Sequence, residues 1–515
     1  MEKQSSSRIW QILAVYVLTW TLAQSISSPN LDGYGDMLES FAWGQAFDWG
    51  SFKHPPLIGW IAGLWFRVLP PSDPMFFMLS FAATALGLLG IFRLAQALGL
   101  GRLSLAAVVV QMYALPYSTL AAKFNANSIL LTLWPWVAYF WWACISERRA
   151  GLFHPLMLGL TAAIAILGKY YSGVLLLSLG LLTLALPAGR RWLGTWSPWF
   201  ALAILAAALL PHLQWLADHD YITLHYVQEQ GNGHVSWSNL LKFLLSPLLY
   251  WGIALGICVA AFKGQGTRWW QRLWLAWKPS GASDALFWLA MLPYGLTLLF
   301  GLSGFVELSL PWSIPVGFAF PLLWLRNLAA TDLGRASSAE RDYWSEPVRR
   351  IFYALPVIVL IGACAKTALD IRRGDELSSL PRREAAAAVL AEWRTLSPTK
   401  PPAWVGGEWA ENAALAFYGD PNIRVIPGLP GEFPVTLDAR DDWLRVPGLI
   451  YCPPVARNPS VQTGCETSAL GWLAAHDLPV RQIEVDASRA GWRFARERSF
   501  RYSAFVVLPS REGNE

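Results

Sequence analysis

A polytopic helical membrane protein with a C-terminal α/β domain outside the bilayer is the fold class this sequence predicts, and three observations predict it. Of 515 residues, 54% are hydrophobic and 15% charged, with a mean hydropathy of +0.35; soluble domains carry roughly a quarter charged residues. There are 30 Trp, a residue whose half-wet ring favours the membrane–water boundary. Apolar stretches of roughly 20 residues, the length that crosses a bilayer, recur over residues 1–370, and from about Ile371 the composition turns polar. The net charge of +5 is small. It falls mainly between the apolar stretches, so it speaks for membrane topology and against a nucleic-acid partner.

Eleven spans are predicted, at 9–27, 75–95, 103–120, 127–146, 152–168, 171–187, 194–212, 240–262, 284–302, 311–327 and 350–368. The first, Ile9–Ser27, superficially resembles a signal peptide but is long enough to cross, and it reads as a retained helix. The run Leu152–Pro187 is too long for one upright helix and carries Lys169-Tyr170 at its middle, so it reads as a tight hairpin of two. Orientation follows from Lys and Arg, which concentrate on the cytoplasmic side. With the N-terminus inside, the inner loops collect Arg102, Arg148-Arg149, Arg190-Arg191, Lys263, Arg268, Arg272, Lys278, Arg326, Arg335, Arg341 and Arg349-Arg350. The outer loops hold Lys53, Lys123 and Lys169. This places the C-terminal domain outside.

Two outer loops are long where connections are usually short. The first, 28–74, concentrates Asp32, Asp36, Glu39 and Asp48 with Trp43, Trp49 and the pair Lys53-His54, closed by Pro55-Pro56. Within it, Asp36–Ala46 has a helical spacing that puts Asp36, Glu39 and Trp43 on a water-facing side and Met37, Leu38, Phe41 and Ala42 on the other. Pro55–Leu69 is apolar but short, which suits a helix in the interface plane. The second loop, 213–239, has His212, His219, His225 and His234 within or beside it, at spacings that match no standard metal site. Beyond residue 371, strands at 403–406, 422–426, 448–451, 480–485 and 503–508 alternate with helices at 409–418 and 467–476, an α/β pattern. No Gly-rich phosphate motif opens these helices. Cys452 and Cys465 either close a disulfide in an oxidising compartment or stand as two thiols.

The run Asp36-Met-Leu-Glu-Ser-Phe-Ala-Trp-Gly-Gln-Ala-Phe-Asp-Trp-Gly-Ser-Phe-Lys-His-Pro-Pro-Leu57 resembles the first periplasmic loop of the dolichyl-phosphate-mannose-protein mannosyltransferase-like membrane glycosyltransferases. These have the GT-C fold, and the aminoarabinose transferase of lipid A is a bacterial relative. Asn125-Ala126-Asn127, Gly168-Lys169-Tyr170, Pro211-His212-Leu213-Gln214-Trp215 and Ala416-Phe417-Tyr418 are similar to later family segments. The sequence departs from the family at Met37, where Glu is usual, at His54, where many relatives have Lys, and at Asn127, often Asp.

The resemblance implies transfer of a sugar from a polyprenyl-phosphate donor to a lipid, glycan or protein acceptor at the outer face of the inner membrane, lipid A modification included. The residue chemistry fits this. A phosphate leaving group departs as an anion and needs positive charge and donors rather than a general acid. Lys53, His54, Lys123 and Lys169 supply them, with Asn127, Tyr170 and His212 as further substrate contacts. The acceptor needs a base, for which Asp36 is the candidate, and direct attack would invert the anomeric centre. Glu39 would orient the acceptor or share a divalent cation (Mg or Mn) with Asp36; Trp43 and Trp49 would stack on sugar or prenyl carbons. The alternative is a transporter or flippase of polyprenyl-linked precursors, which would bind at the bilayer midplane, often between repeated halves. No such repeat is visible.

Overall fold

The computed structural model describes residues 2–31, 35–146, 151–229, 235–262, 268–304, 307–332, 346–373, 380–398, 400–426, 428, 445–454, 459–489 and 499–508. Of the residues singled out above, Asp32, Arg148, Arg149, His234, Lys263, Arg335 and Arg341 lie outside these. The helices up to residue 373 are α1 (Glu2–Ser27), α2 (Asp36–Ala46), α3 (Leu57–Val68), α4 (Asp73–Ala97), α5 (Ser104–Gln111), α6 (Ile129–Ser146), α7 (Phe153–Gly168), α8 (Ser172–Ala185), α9 (Pro187–Leu193), α10 (Ser197–Asp218), α11 (Ile222–Glu229), α12 (Trp237–Ala261), α13 (Trp269–Ala276), α14 (Ala285–Leu302), α15 (Phe320–Asp332) and α16 (Glu346–Arg373). Among the described residues, seven helices are long and apolar enough to cross a membrane, or nine if each of two bent pairs counts as one.

The bent pairs revise two of the expected spans, and proline explains the second. In 103–120, α5 stops at Gln111 and the chain turns by 86° into Leu115–Ala122. Ala114 is extended (ψ 136°) just before a 3-10 turn that holds Pro116. In 171–187, α8 meets α9 at 97°, with Leu186 extended (ψ 135°) directly before Pro187. The residue before a proline is pushed out of the helical region by the ring. The expected span 311–327 is likewise a 3-10 turn, Leu310–Ser313, followed later by α15. The expected loop 213–239 is mostly helix: α10 continues to Asp218 and α11 occupies Ile222–Glu229. Its polar residues misled because His212 and Trp215 are buried on α10 rather than lying in a connection.

The chain forms two compact units. One comprises 1–21, 49–57 and 80–359; the other comprises 22–48, 58–79 and 360–515. The unit with the C-terminal domain therefore includes most of the first long loop.

In that second unit a five-stranded sheet has the order β2-β1-β3-β5-β4, with β1 Trp404–Gly407, β2 Arg424–Val425, β3 Gly448–Cys452, β4 Gln482–Ser488 and β5 Ser499–Val507. β2, β1 and β3 are parallel, with Trp404 opposite Arg424 on one side and Gly448 on the other. β5 and β4 continue the sheet antiparallel. Trp404, Ile426, Ile450, Ala469, Leu473 and Phe505 form a core on one face, joined by the Cys452–Cys465 disulfide.

The same unit holds α2 and α3, both at the positions the sequence spacing predicts. They meet at glycines: a Cβ on Gly44 would sit 2.6 Å from the Gly63 amide nitrogen and 2.7 Å from the Gly59 carbonyl. Only bare backbone allows so close a crossing. The amphipathic expectation for α2 is overturned. Met37, Leu38, Glu39, Ser40, Phe41, Ala42 and Gly44 are all buried, because the helix packs between α3 and the C-terminal domain. Phe41 meets Phe66 and Phe417 edge-on at 5.7 and 5.1 Å, and Trp43 faces Trp409 at 6.2 Å.

Candidate functional site

The first unit gathers most of the predicted substrate contacts. Two local turns prepare them. Ser51 organises 51–54: its Oγ donates to the His54 carbonyl (2.9 Å) and accepts from the His54 amide (3.0 Å). This turn carries Lys53 and His54, both half-buried, and the His54 ring meets Tyr226 edge-on at 6.4 Å. Asn125 organises the second turn. Its Oδ1 accepts from the Asn127 and Ser128 amides, both at 2.9 Å, while Ser128 Oγ accepts from the Asn125 amide at 3.0 Å. Reciprocal bonding of this kind satisfies the open N–H groups where a helix begins, here α6. It also fixes Asn127.

Asn127 Oδ1 accepts from Lys169 Nζ. Lys169 ends α7 in an extended conformation (φ −166°, ψ 133°), and its ammonium lies 5.2 Å from the centre of the Trp312 ring. A ring face attracts a cation through its quadrupole. Trp312 also packs on Tyr171 at 5.0 Å, and Tyr171 is tied to Thr297 at 2.6 Å. Lys169 is thus held from two sides by an amide and an indole.

The next residue continues the array. Tyr170 Oη is 2.7 Å from His212 Nε2, and His212 Nδ1 is 2.6 Å from the Trp49 carbonyl oxygen. A carbonyl can only accept, so Nδ1 donates, and in the neutral ring Nε2 accepts from Tyr170. Burial pushes the Tyr170 phenol up, so it stays a neutral donor. Trp215 stacks between His212 (6.3 Å, 11°) and His219 (4.2 Å, 18°). Above it sits Gly50, where a Cβ would come 2.3 Å from the indole. Thr223 Oγ1 donates to the Ser51 carbonyl at 2.6 Å.

One chain of contacts therefore joins Trp49, Asn127, Lys169, Tyr170 and His212, with the Lys53-His54 turn tied to it through Ser51 and Thr223. Lys123 lies on the loop two residues before Asn125 and is half-buried. Trp312, Thr223, Ser51 and Gly50 are members that sequence reasoning missed. Trp312 had no signal at all, since one Trp among 30 carries no address.

Asp36, Glu39 and Trp43 belong to the second unit. Asp36 opens α2 and is half-buried, Trp43 is half-buried, and Glu39 is 4% exposed. Two further groups tie α2 to the C-terminal domain. Gln45 Nε2 donates to the Pro421 and Ile423 carbonyls (3.0 and 2.9 Å), and its Oε1 accepts from the Val425 amide (3.1 Å). Its side chain thus serves the sheet edge at β2 as a neighbouring strand would. Tyr418 Oη donates to Asp73 Oδ1 at 2.7 Å; burial pushes its pKa up and keeps it protonated. Deeper in the unit, Arg382 and Glu411 form a buried ion pair at 2.7 Å. Among the described residues no group of three His, Cys, Asp or Glu side chains is placed to hold a metal ion.

Residues 53–215 match the model of the dolichyl-phosphate-mannose-protein mannosyltransferase family. That stretch contains Lys53, His54, Lys123, Asn127, Lys169, Tyr170 and His212. The lipid A galacturonosyltransferase RgtD of Rhizobium johnstonii is 25% identical over 238 residues, 44% of this chain and 46% of that protein; the match thus spans about half the length of the relative. The fold is similar to that of ArnT from Cupriavidus metallidurans. Bound to undecaprenyl phosphate, ArnT superposes with a TM-score of 0.57 at 14% identity, covering 99% of this chain and all of ArnT. In the apo state the TM-score is 0.56 at 15% identity, with the same coverage.

Proposed function

We propose, from the premise that this chain is a multi-pass membrane protein of the GT-C, ArnT-like kind, that it transfers a sugar from a polyprenyl-phosphate donor to an acceptor beyond the outer leaflet of the inner membrane. The observation that carries this reading is Lys169, a cation fixed by Asn127 and Trp312 inside the family-matched segment, beside the Tyr170–His212–Trp49 relay. An oriented ammonium and a phenol are what a departing lipid phosphate requires. An ArnT crystallised with undecaprenyl phosphate shares the fold, which supports a lipid phosphate as the leaving group. The similarity to a lipid A galacturonosyltransferase supports a glycolipid acceptor.

In this mechanism the acceptor oxygen or nitrogen attacks the anomeric carbon and the bond from that carbon to the phosphate oxygen breaks. Both electrons of that bond leave with the phosphate. Lys169, Lys53, His54 and Lys123 offset the charge that builds there. Asp36 takes the acceptor proton, and Glu39, buried one turn further along α2, positions it. Trp43 and Trp49 stack on sugar or prenyl carbons. A single displacement inverts the anomeric configuration. The N-terminus is cytoplasmic and the C-terminal domain periplasmic.

The test uses proteoliposomes loaded with a polyprenyl-phosphate sugar and a glycolipid acceptor and follows free polyprenyl phosphate by mass spectrometry. Wild type is expected to release it. Asp36→Asn is expected to lower release about 10²–10⁴-fold, the range for a lost general base, with normal membrane insertion. Near-normal release from that variant would remove Asp36 from the mechanism. A carrier would move the lipid with its sugar attached, so translocation without release would favour transport.

A further inference from the structure

Helix α13 is an eight-residue helix, Trp-Trp-Gln-Arg-Leu-Trp-Leu-Ala, and the chemistry on its two sides differs sharply. Its inner side is anchored. Ala276 is fully buried, Asn327 Nδ2 donates to the Ala276 and Lys278 carbonyls at 3.0 and 2.8 Å, and Trp277 packs edge-on against Phe320 and Trp324, each at 5.1 Å. The loop that follows is pinned as well. Asp284 caps α14 through the Phe287 amide and takes both arms of Arg326 at 2.6 Å.

The outer side presents Trp269, Trp270 and Trp274, exposed by 59%, 47% and 65%. Cations stand among these rings. The Arg268 guanidinium lies 5.0 Å from the Trp270 ring centre and Lys278 Nζ 5.3 Å from that of Trp274. Arg272 spends one nitrogen on the Phe262 carbonyl at 3.0 Å. Among the described residues its Nε is buried with no hydrogen-bond partner. Residues 268–283 contain no acid, and no ion pair among the described residues involves these three cations.

We propose that α13 is a binding site for the headgroup of an anionic phospholipid, with Arg268, Arg272 and Lys278 on the phosphate and Trp269, Trp270 and Trp274 at the level of the upper acyl carbons. Trp takes this position because its ring is apolar and its N–H polar. Arg engages phosphate through paired donors. Eight helical residues at 1.5 Å of rise make α13 about 12 Å long, and Arg268 and Lys278 flank its two ends. Positive charge in a membrane loop also sets topology, but topology needs neither the ring-backed geometry nor the anchored inner side. The proposal is independent of the sugar-transfer reading.

The experiment is native mass spectrometry of the full chain titrated with phosphatidylglycerol or phosphatidylcholine. Wild type is expected to retain phosphatidylglycerol preferentially. Arg268→Gln with Lys278→Gln removes the two outward cations and leaves the Arg272 bond to the backbone intact. Each lost charge is expected to weaken retention about fivefold, the effect of one cation at an anionic surface. Equal retention of the two lipids by wild type, or undiminished retention by the double variant, would overturn the proposal. Displacement of the lipid by inorganic phosphate would overturn it too, since the site would then read a free anion rather than a lipid.

Discussion

Arg382 in the second unit and Lys169 in the first are cations held by different means. Arg382 in the second unit faces Glu411 through Nε and Nη2, and the two side chains are 1% and 2% exposed. Burial works against the guanidinium charge, but the Glu411 carboxylate holds it firmly protonated. Lys169 in the first unit is half-buried and is gripped by an amide oxygen and a ring face. Glu411 carries a charge opposite to that of Arg382, whereas the Asn127 amide and the Trp312 ring beside Lys169 carry none. On the function proposed above, the first arrangement serves the fold and the second a ligand.

The largest expected effect comes from breaking the neutralised pair. Glu411→Gln leaves Arg382 as an uncompensated buried charge, which costs about 3–5 kcal/mol. Thermal unfolding of the detergent-solubilised protein measures it. Replacing both residues by Leu removes the charge together with its partner and is expected to cost far less, since such double replacements are often near neutral. If the double variant were as unstable as the single one, packing rather than charge would hold this part of the unit.

Lys169→Met puts the other side of the contrast to work. The stem remains and the charge goes. Transfer, read as polyprenyl phosphate release, is expected to fall about 10²–10³-fold, the usual loss when one oriented charge-stabilising donor is removed. Stability should shift by no more than about 1 kcal/mol, because water reaches the half-buried Asn127 amide. A variant that unfolded early but turned over normally would make Lys169 a structural cation like Arg382, and the contrast would vanish.

How far the sequence reached follows the same division. Local patterns were legible: α2 begins at Asp36 and ends at Ala46 as its spacing predicts, and the strands of the C-terminal sheet fall within a few residues of their expected places. Long-range partners were not. Glu39 looked solvent-facing because helical spacing describes one helix, while its burial depends on α3 and on a domain that begins over 300 residues later. Arg382 and Glu411 are 29 residues apart with no periodic relation, and the turns before Pro116 and Pro187 were hidden inside apolar runs.

Gln45 tests the middle ground, a polar latch with no charge on either side. Its amide nitrogen faces two carbonyls and its oxygen faces an N–H, so the orientation of the group is fixed by its partners. Such neutral bonds at a partly wet sheet edge contribute about 1 kcal/mol each at most, and water replaces some of them when the side chain is gone. Gln45→Ala is therefore expected to lower stability by about 1–2 kcal/mol, and to speed hydrogen exchange at the Val425 amide selectively. Gln45→Glu sharpens the point. It keeps the acceptor for Val425 but turns a carboxylate toward the Pro421 and Ile423 carbonyls, so it should destabilise at least as much as alanine. Were Gln45→Glu neutral, the latch would rest on the single bond to Val425, and edge protection alone would account for it.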